Sequence, residues 1–136
     1  MTEISVSLSP AGGSVVSGQA RSHAITIDRP LDKGGKDAGP MGGEYLLLAL
    51  GGCYLSTFLA ALRAEDPEAE ATDLALTVAG SLTPAPTRFT EITVSASAPA
   101  AHRDLFDKPL VKAERGCIVH QSIRDAIAVR FTHTWI

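Results

Sequence analysis

Two cysteines, Cys53 and Cys117, are the residues of this chain best suited to do chemistry, and each follows a glycine. The thiolate is the nucleophile, and an ordinary thiol with a pKa of about 8.5 is only slightly ionised at neutral pH. Cys53 closes an apolar stretch that runs from Gly39-Pro40-Met41-Gly42-Gly43-Glu44 through Tyr45-Leu46-Leu47-Leu48-Ala49-Leu50 to Gly51-Gly52-Cys53. Cys117 stands in Arg115-Gly116-Cys117-Ile118-Val119. Singly, each has a plain reading, since free cysteines are often buried core residues. Together they are the parts of a two-thiol peroxidase. One thiolate attacks a peroxide oxygen and becomes a sulfenic acid, and the second thiol condenses with it before it can overoxidise.

A reactive Cys53 needs a lowered pKa, hence a nearby cation. No lysine or arginine lies within two turns upstream, so the cation is expected from another segment, with Arg29 and Arg21 as candidates. Glu44 precedes Cys53 by nine residues, about two and a half turns, so the two project from opposite faces of a regular helix. Glu44 can therefore reach the thiol only through an arginine; otherwise it is a first-turn acid that complements the helix dipole. Other constellations are incomplete. Cys117-Ile118-Val119-His120 has a metal-like spacing, but no second cluster supplies further ligands, so no metal or other cofactor is expected. There is no Gly-x-Ser-x-Gly, and Gly34-Gly35-Lys36-Asp37 lacks the spacing and hydroxyl of a phosphate loop. His23, His102 and His133 read as surface or strand residues.

The elements that must position these groups follow from periodicity. Ile4–Leu8, Ser14–Gln19 and Arg21–Asp28 alternate as three strands of a meander, with a turn at Gly12-Gly13. Residues 30–43 form a loop in which Asp32, Asp37 and Pro40 favour turns. A main helix is expected from Gly43 to about Glu65, apolar nearly all round and so buried on all sides by sheet or by another subunit. Gly51 and Gly52 each cost about 1 kcal/mol in a helix interior, which implies a close approach there. Leu74–Leu82 and Phe89–Ala98 pair as a hairpin. His102–Gly116 is helical, with an interruption or kink at Pro109, and Ile118–Ala126 is a second short helix. Val129–Trp135 closes as a strand. The order βββ-α-ββ-α-α-β is an α+β domain with antiparallel sheet.

Bulk properties set the class. The 136 residues suit one domain, spanning 1–136, and are enough to bury a core without metal or disulfide. The net charge of −3, with scattered basic residues, gives no footprint for nucleic acid. The first residues do not read as a signal peptide, and the apolar run reads as too short and too interrupted for a membrane span. A cytoplasmic protein is expected, in which two thiols stay reduced, reactive or inert.

At these residues the sequence resembles the OsmC/Ohr family of thiol-dependent hydroperoxide peroxidases, closest to its broad OsmC-like branch. The likeness rests on Gly39-Pro40, on Glu44-x-Leu46-Leu47-Leu48-Ala49-Leu50-Gly51-Gly52-Cys53, on Lys112-Ala113-Glu114-x-Gly116-Cys117, and on Arg88-Phe89-Thr90 at the start of a strand. It implies an OsmC-like fold, with antiparallel sheets wrapped around long central helices in an intertwined homodimer. It implies that Cys53 is the peroxide-reactive thiol and Cys117 the resolving thiol, which form a disulfide. It implies an arginine, Arg29 or Arg21, that holds the thiolate, and Glu44 to orient that arginine. The proline that family members carry just before this glutamate is replaced here by Gly42-Gly43.

An apolar lining from Leu50, Tyr54 and Phe58 predicts organic, lipid-like hydroperoxides as substrates in oxidative stress defence. A small dithiol, such as a lipoylated protein, is the reductant the resemblance implies. Two other classes compete. A non-catalytic or redox-sensing module would bind a small ligand on the same fold. A hotdog-type thioesterase would also wrap sheet around a long helix, but no acid or asparagine stands where it would need one.

Overall fold

The computed structural model describes residues 1–136. Three helices and two three-stranded sheets follow one another as β1 (Ser7–Pro10), β2 (Val16–Ala20), β3 (His23–Ile27), α1 (Gly42–Glu65), β4 (Ala75–Thr83), β5 (Arg88–Ala98), α2 (Arg103–Gly116), α3 (Ile118–Ile123) and β6 (Ala128–Trp135). The element order is the expected one. Packing divides the chain, expected as one domain, into two compact units, residues 1–46 and 47–136.

The N-terminal unit is an antiparallel meander, β1-β2-β3, followed by a loop and the first turn of α1. Its first strand lies further along the chain than Ile4–Leu8. No residue of β1 is buried, so alternation has no core to register against. The turn sets the pairing instead, with Ala11 N–H donating to Val15 O at 2.8 Å and Pro10 opposite Val16. Arg21, expected inside the third strand, is in the turn before it, at φ 55°. The loop at 29–40 folds on its own backbone. Asp37 N–H donates to Arg29 O, Gly35 N–H to Pro30 O, and Asp28 N–H to Pro40 O. Gly35 is required there, because a Cβ would sit 1.8 Å from Arg29 O.

In the C-terminal unit the sheet order is β4-β5-β6. The β4–β5 hairpin is antiparallel as expected, but β6 runs parallel to β5. That departure follows from the connection: α2 and α3 intervene, and a long helical crossover returns the chain in the same direction. Alternation on β5 turns Ile92, Val94, Ala96 and Ala98 inward. Leu50, Tyr54, Phe58 and Leu62, at a strict four-residue spacing on α1, join Phe106, Leu110 and Ala113 of α2 in the same core. Phe58 and Phe106 meet edge to face, their centroids 5.4 Å apart.

Three local expectations are corrected. First, α2 runs through Pro109 as one helix, the buried proline ring being part of the core face. Second, of the paired glycines only Gly51 is a close approach: a Cβ there would come within 2.9 Å of Val78, whereas one on Gly52 would meet nothing in this chain. Third, α1, continuous across both glycines as expected, is not too short or too interrupted for a membrane span. With 24 residues it is long and apolar enough to cross a membrane by length and composition. One face of it is nevertheless committed to a protein core through Leu50, Tyr54, Phe58 and Leu62.

Candidate active site

Cys53 projects from the middle of α1, and Cys117 occupies the turn between α2 and α3. Both are free thiols, Cys53 half-buried and Cys117 fully buried. The turn is built by Cys117 itself. Its extended backbone ends α2, and its N–H donates to Ala113 O at 3.0 Å. Its sulfur then accepts the N–H of His120 at 3.5 Å, as a serine would at an N-cap. Two side chains hold this turn to the end of α2. His120 Nδ1 lies 3.0 Å from Glu114 O, and Gln121 Nε2 donates to Arg115 O at 3.1 Å.

This construction aims the first N–H groups of α3 at Cys53. Burial pushes the Cys53 thiol up, but hydrogen bonds from Val119 N–H, the Cys117 thiol, Ile118 N–H and the Thr57 hydroxyl outweigh it, and the net shift is downward. Cys117 is shifted the other way. Burial is the main cause, and its hydrogen bond and charge interaction with Cys53 add to it, although His120 N–H works against them. The Cys117 thiol also lies 3.9 Å from Leu50 O, one turn before Cys53 on α1, so the two thiols are neighbours, with Cys53 shifted toward the thiolate and Cys117 toward the neutral thiol. Such a pair can attack an electrophile through one sulfur and then close through the other.

The stabilising groups differ from those expected. The donors to Cys53 are two backbone N–H groups, a thiol and a hydroxyl, and none is a cation. Sequence reading missed them because backbone N–H groups belong to every residue. The available signal was Gly116-Cys117 at the boundary of two helical patterns, where a side chain that accepts a hydrogen bond caps the second helix. Arg21 and Arg29 are exposed and belong to the N-terminal unit. In the same unit, the Glu44 carboxylate accepts Met41 N–H at 2.8 Å, which caps the start of α1. Leu50, Tyr54 and Phe58, expected to line a substrate pocket, are fully buried in the core of the C-terminal unit. The large exposed apolar side chains nearest the thiols in sequence are Leu48 and Ile118.

The N-terminal unit has a second polar centre that the sequence reading did not single out. Asp28, 2 % exposed, accepts Arg29 N–H at 2.7 Å and Lys36 and Ala38 N–H at 3.1 Å each. The Ser14 hydroxyl, followed by these backbone donors, lowers its carboxyl from 3.8 to about 2 against the effect of burial. A cavity of about 400 Å³ beside it is lined by Ser14, Asp28, Arg29, Lys33 and the glycines that begin α1.

Residues 34–132 match the model of the family described as OsmC-like protein. The chain belongs to the OsmC-like family. Solved structures agree on the fold across the whole length. A hypothetical protein of Aquifex aeolicus VF5 superposes with a TM-score of 0.81 at 15% identity, covering 100% of this chain and 98% of that one. An OsmC like protein of Mycoplasma pneumoniae gives 0.79 at 17% identity, with 99% and 98% covered. An organic hydroperoxide resistance protein, OsmC, of Legionella pneumophila gives 0.71 at 15% identity, with 98% and 99% covered. No curated protein matches the chain. The OsmC-like fold read from the Gly-Gly-Cys block and the second cysteine is thus borne out, as a mixed α+β architecture of two sheets and three helices.

Proposed function

We propose that this OsmC-like protein is a cysteine-based peroxidase that reduces organic hydroperoxides to alcohols in oxidative stress defence. The observation that carries this reading is the placement of two free thiols side by side, Cys117 Sγ lying 3.9 Å from Leu50 O one turn before Cys53 on α1, with Cys53 shifted down and Cys117 up. Cys53 S⁻ attacks the terminal oxygen of R–O–OH. The S–O bond forms as the O–O bond breaks, the sulfur loses two electrons to the peroxide, and the released alkoxide takes a proton to become the alcohol. The Cys117 sulfur then attacks the Cys53 sulfenic acid. The S–S bond forms, and the sulfenic hydroxyl leaves with the Cys117 proton as water. A dithiol reductant, such as a lipoylated protein, restores both thiols by exchange and is itself oxidised to its disulfide.

The protein acts as a homodimer in the cytoplasm. Support for a second copy comes from apolar side chains left exposed on α1, Leu48 and Leu59, and in the N-terminal segment, Ile4, Val6 and Leu8. Arg29 or Arg21 would add charge stabilisation to the thiolate in that assembly, with Glu44 orienting the arginine. The apolar character of α1 around Cys53 favours bulky hydroperoxides over hydrogen peroxide.

The test is the intact mass and free-thiol content of the reduced protein before and after one equivalent of an organic hydroperoxide. The expected result is rapid loss of both thiols and of two hydrogens in mass. Two surviving thiols and an unchanged mass would overturn the reading and favour a ligand-binding module on the same fold.

A further inference from the structure

We propose that His133 is a positioning residue for closure of the Cys53–Cys117 pair, an inference that rests on reading those thiols as redox partners. Along β6, Val129, Phe131, His133 and Trp135 turn toward the core and their neighbours turn outward. The register sets His133 opposite Ala96, beside the Val94–Phe131 pair. An imidazole in an apolar row is costly unless its nitrogens find partners. His133 Nε2 lies 3.3 Å from the Tyr54 hydroxyl and 3.8 Å from Glu114 Oε1. The Tyr54 hydroxyl in turn donates to Leu110 O at 3.4 Å, which leaves its oxygen to accept from the imidazole N–H.

These contacts fall on the two elements that carry the sulfurs. Tyr54 follows Cys53 on α1, and Glu114 precedes Cys117 by three residues in the last turn of α2. One ring on β6 therefore ties both elements to the same point of the sheet. The aromatic packing extends the tie. Tyr54 stacks on Phe131 at 4.9 Å, and Phe131 meets His120 edge-on at 4.9 Å. His120 N–H is the group that caps the Cys117 sulfur. Tyr54 remains a neutral phenol, its pKa raised by burial and then by the charges of Glu114 and Cys117, so it keeps its donor and acceptor roles across the working pH range. Closure must bring two separate thiols to a bond of about 2 Å, a movement whose cost depends on how firmly α1 and the Cys117 turn are held in register.

The experiment measures the disulfide equilibrium of the full chain in a glutathione redox buffer. Alongside it, single-turnover oxidation by an organic hydroperoxide follows Cys53 sulfenic acid by mass. His133→Phe keeps a ring and removes both polar contacts; it should lower the effective concentration of the thiol pair about tenfold and slow closure to match. The first oxidation of Cys53 should stay within about twofold of wild type. His133→Gln, which places an amide near the Nε2 position, should restore closure to within about threefold, a rescue that packing alone would not give. Tyr54→Phe tests the same tie from the other end if His133→Phe does not fold, and should also weaken closure.

Wild-type closure in His133→Phe, or in Tyr54→Phe where that variant stands in, overturns the proposal, as does a His133→Gln variant no better than His133→Phe. A wild-type protein that closes in glutathione but ignores hydroperoxide loses the peroxidase reading, while the variants still decide the role of His133. Failure of the wild type to form the disulfide in glutathione overturns both.

Discussion

Asp28 in the N-terminal unit and Cys53 in the C-terminal unit each present an acid to backbone N–H groups and one hydroxyl. Asp28 accepts from three N–H groups of its own loop and from Ser14, and its carboxyl is held at about 2. Cys53 accepts from two N–H groups of a turn more than sixty residues away in sequence, from Thr57 and from a second thiol whose own pKa is raised. The carboxylate is almost wholly covered and bonded to three backbone N–H groups, and its charge serves to order residues 29–38. The thiol is half open, and one of its neighbours is a second thiol, the proposed partner in closure. The same kind of cradle builds structure when the anion is enclosed and fully bonded. It prepares chemistry when one donor is reactive and one side is open.

The sharpest break in that comparison is a substitution that spares the cradle and removes the reactive atom. Cys53→Ser should lower hydroperoxide consumption by at least about a thousandfold, to background, with little change in thermal melting. Cys117→Ser should complete the first oxidation and then stall, with Cys53 gaining two or three oxygens by mass. Full activity in Cys53→Ser would place this cradle beside Asp28 as purely structural.

Asp28 should fail differently, through stability and with a pH signature. Its folded pKa lies below its ordinary value, so its stabilising contribution is complete above about pH 4 and disappears as pH falls through about 2. Asp28→Asn should therefore be less stable than wild type at pH 7, and the gap should narrow as pH drops from about 4 to about 2. Chemical denaturation across that range measures it. A gap that stays constant with pH would mean that the carboxylate carries no special charge stabilisation. Ser14→Ala, which removes the first cause of the shift, should give the same pH signature at smaller amplitude.

These two cradles also show what a sequence reveals and what it hides. The Leu-Leu-x-Ala-Leu-Gly-Gly-Cys block and the period of each element were enough to place α1, the hairpin and the two cysteines, because apolar spacing and rare thiols are properties of side chains. The direction of β6 was hidden, because strand direction depends on where a crossover delivers the chain. The thiolate's partners were hidden for a related reason: they are main-chain groups of Ile118 and Val119, whose side chains say nothing about them. Asp28 looked like the end of a strand, with Asp32 and Asp37 as the turn formers. Its role appears only when residues 36 and 38 fold back onto it. Leu50, Tyr54 and Phe58 were read as facing a substrate because they are apolar near a thiol, yet the four-residue stripe they share with Leu62 is the signature of a core face.

The smallest expected effect is the most direct test of how the two cradles divide their work. Each contains one hydroxyl, Ser14 for Asp28 and Thr57 for Cys53. Ser14 is the leading cause at its site, whereas Thr57 is the least at its own, behind Val119 N–H, the Cys117 thiol and Ile118 N–H. The reason is geometric. The Thr57 hydroxyl donates back to Cys53 O at 2.9 Å within the helix, so its single proton is shared between that carbonyl and the sulfur. Thr57→Val keeps the branched shape that packs near Gly116 and removes the proton. The Cys53 pKa should rise slightly, and its rate of alkylation at pH 7 should fall by only about twofold. A loss as large as that from disrupting the Cys117 turn would mean that Thr57, rather than the N–H groups of α3, is the principal donor. The catalytic cradle would then depend on a side-chain hydroxyl to the degree that the structural one does.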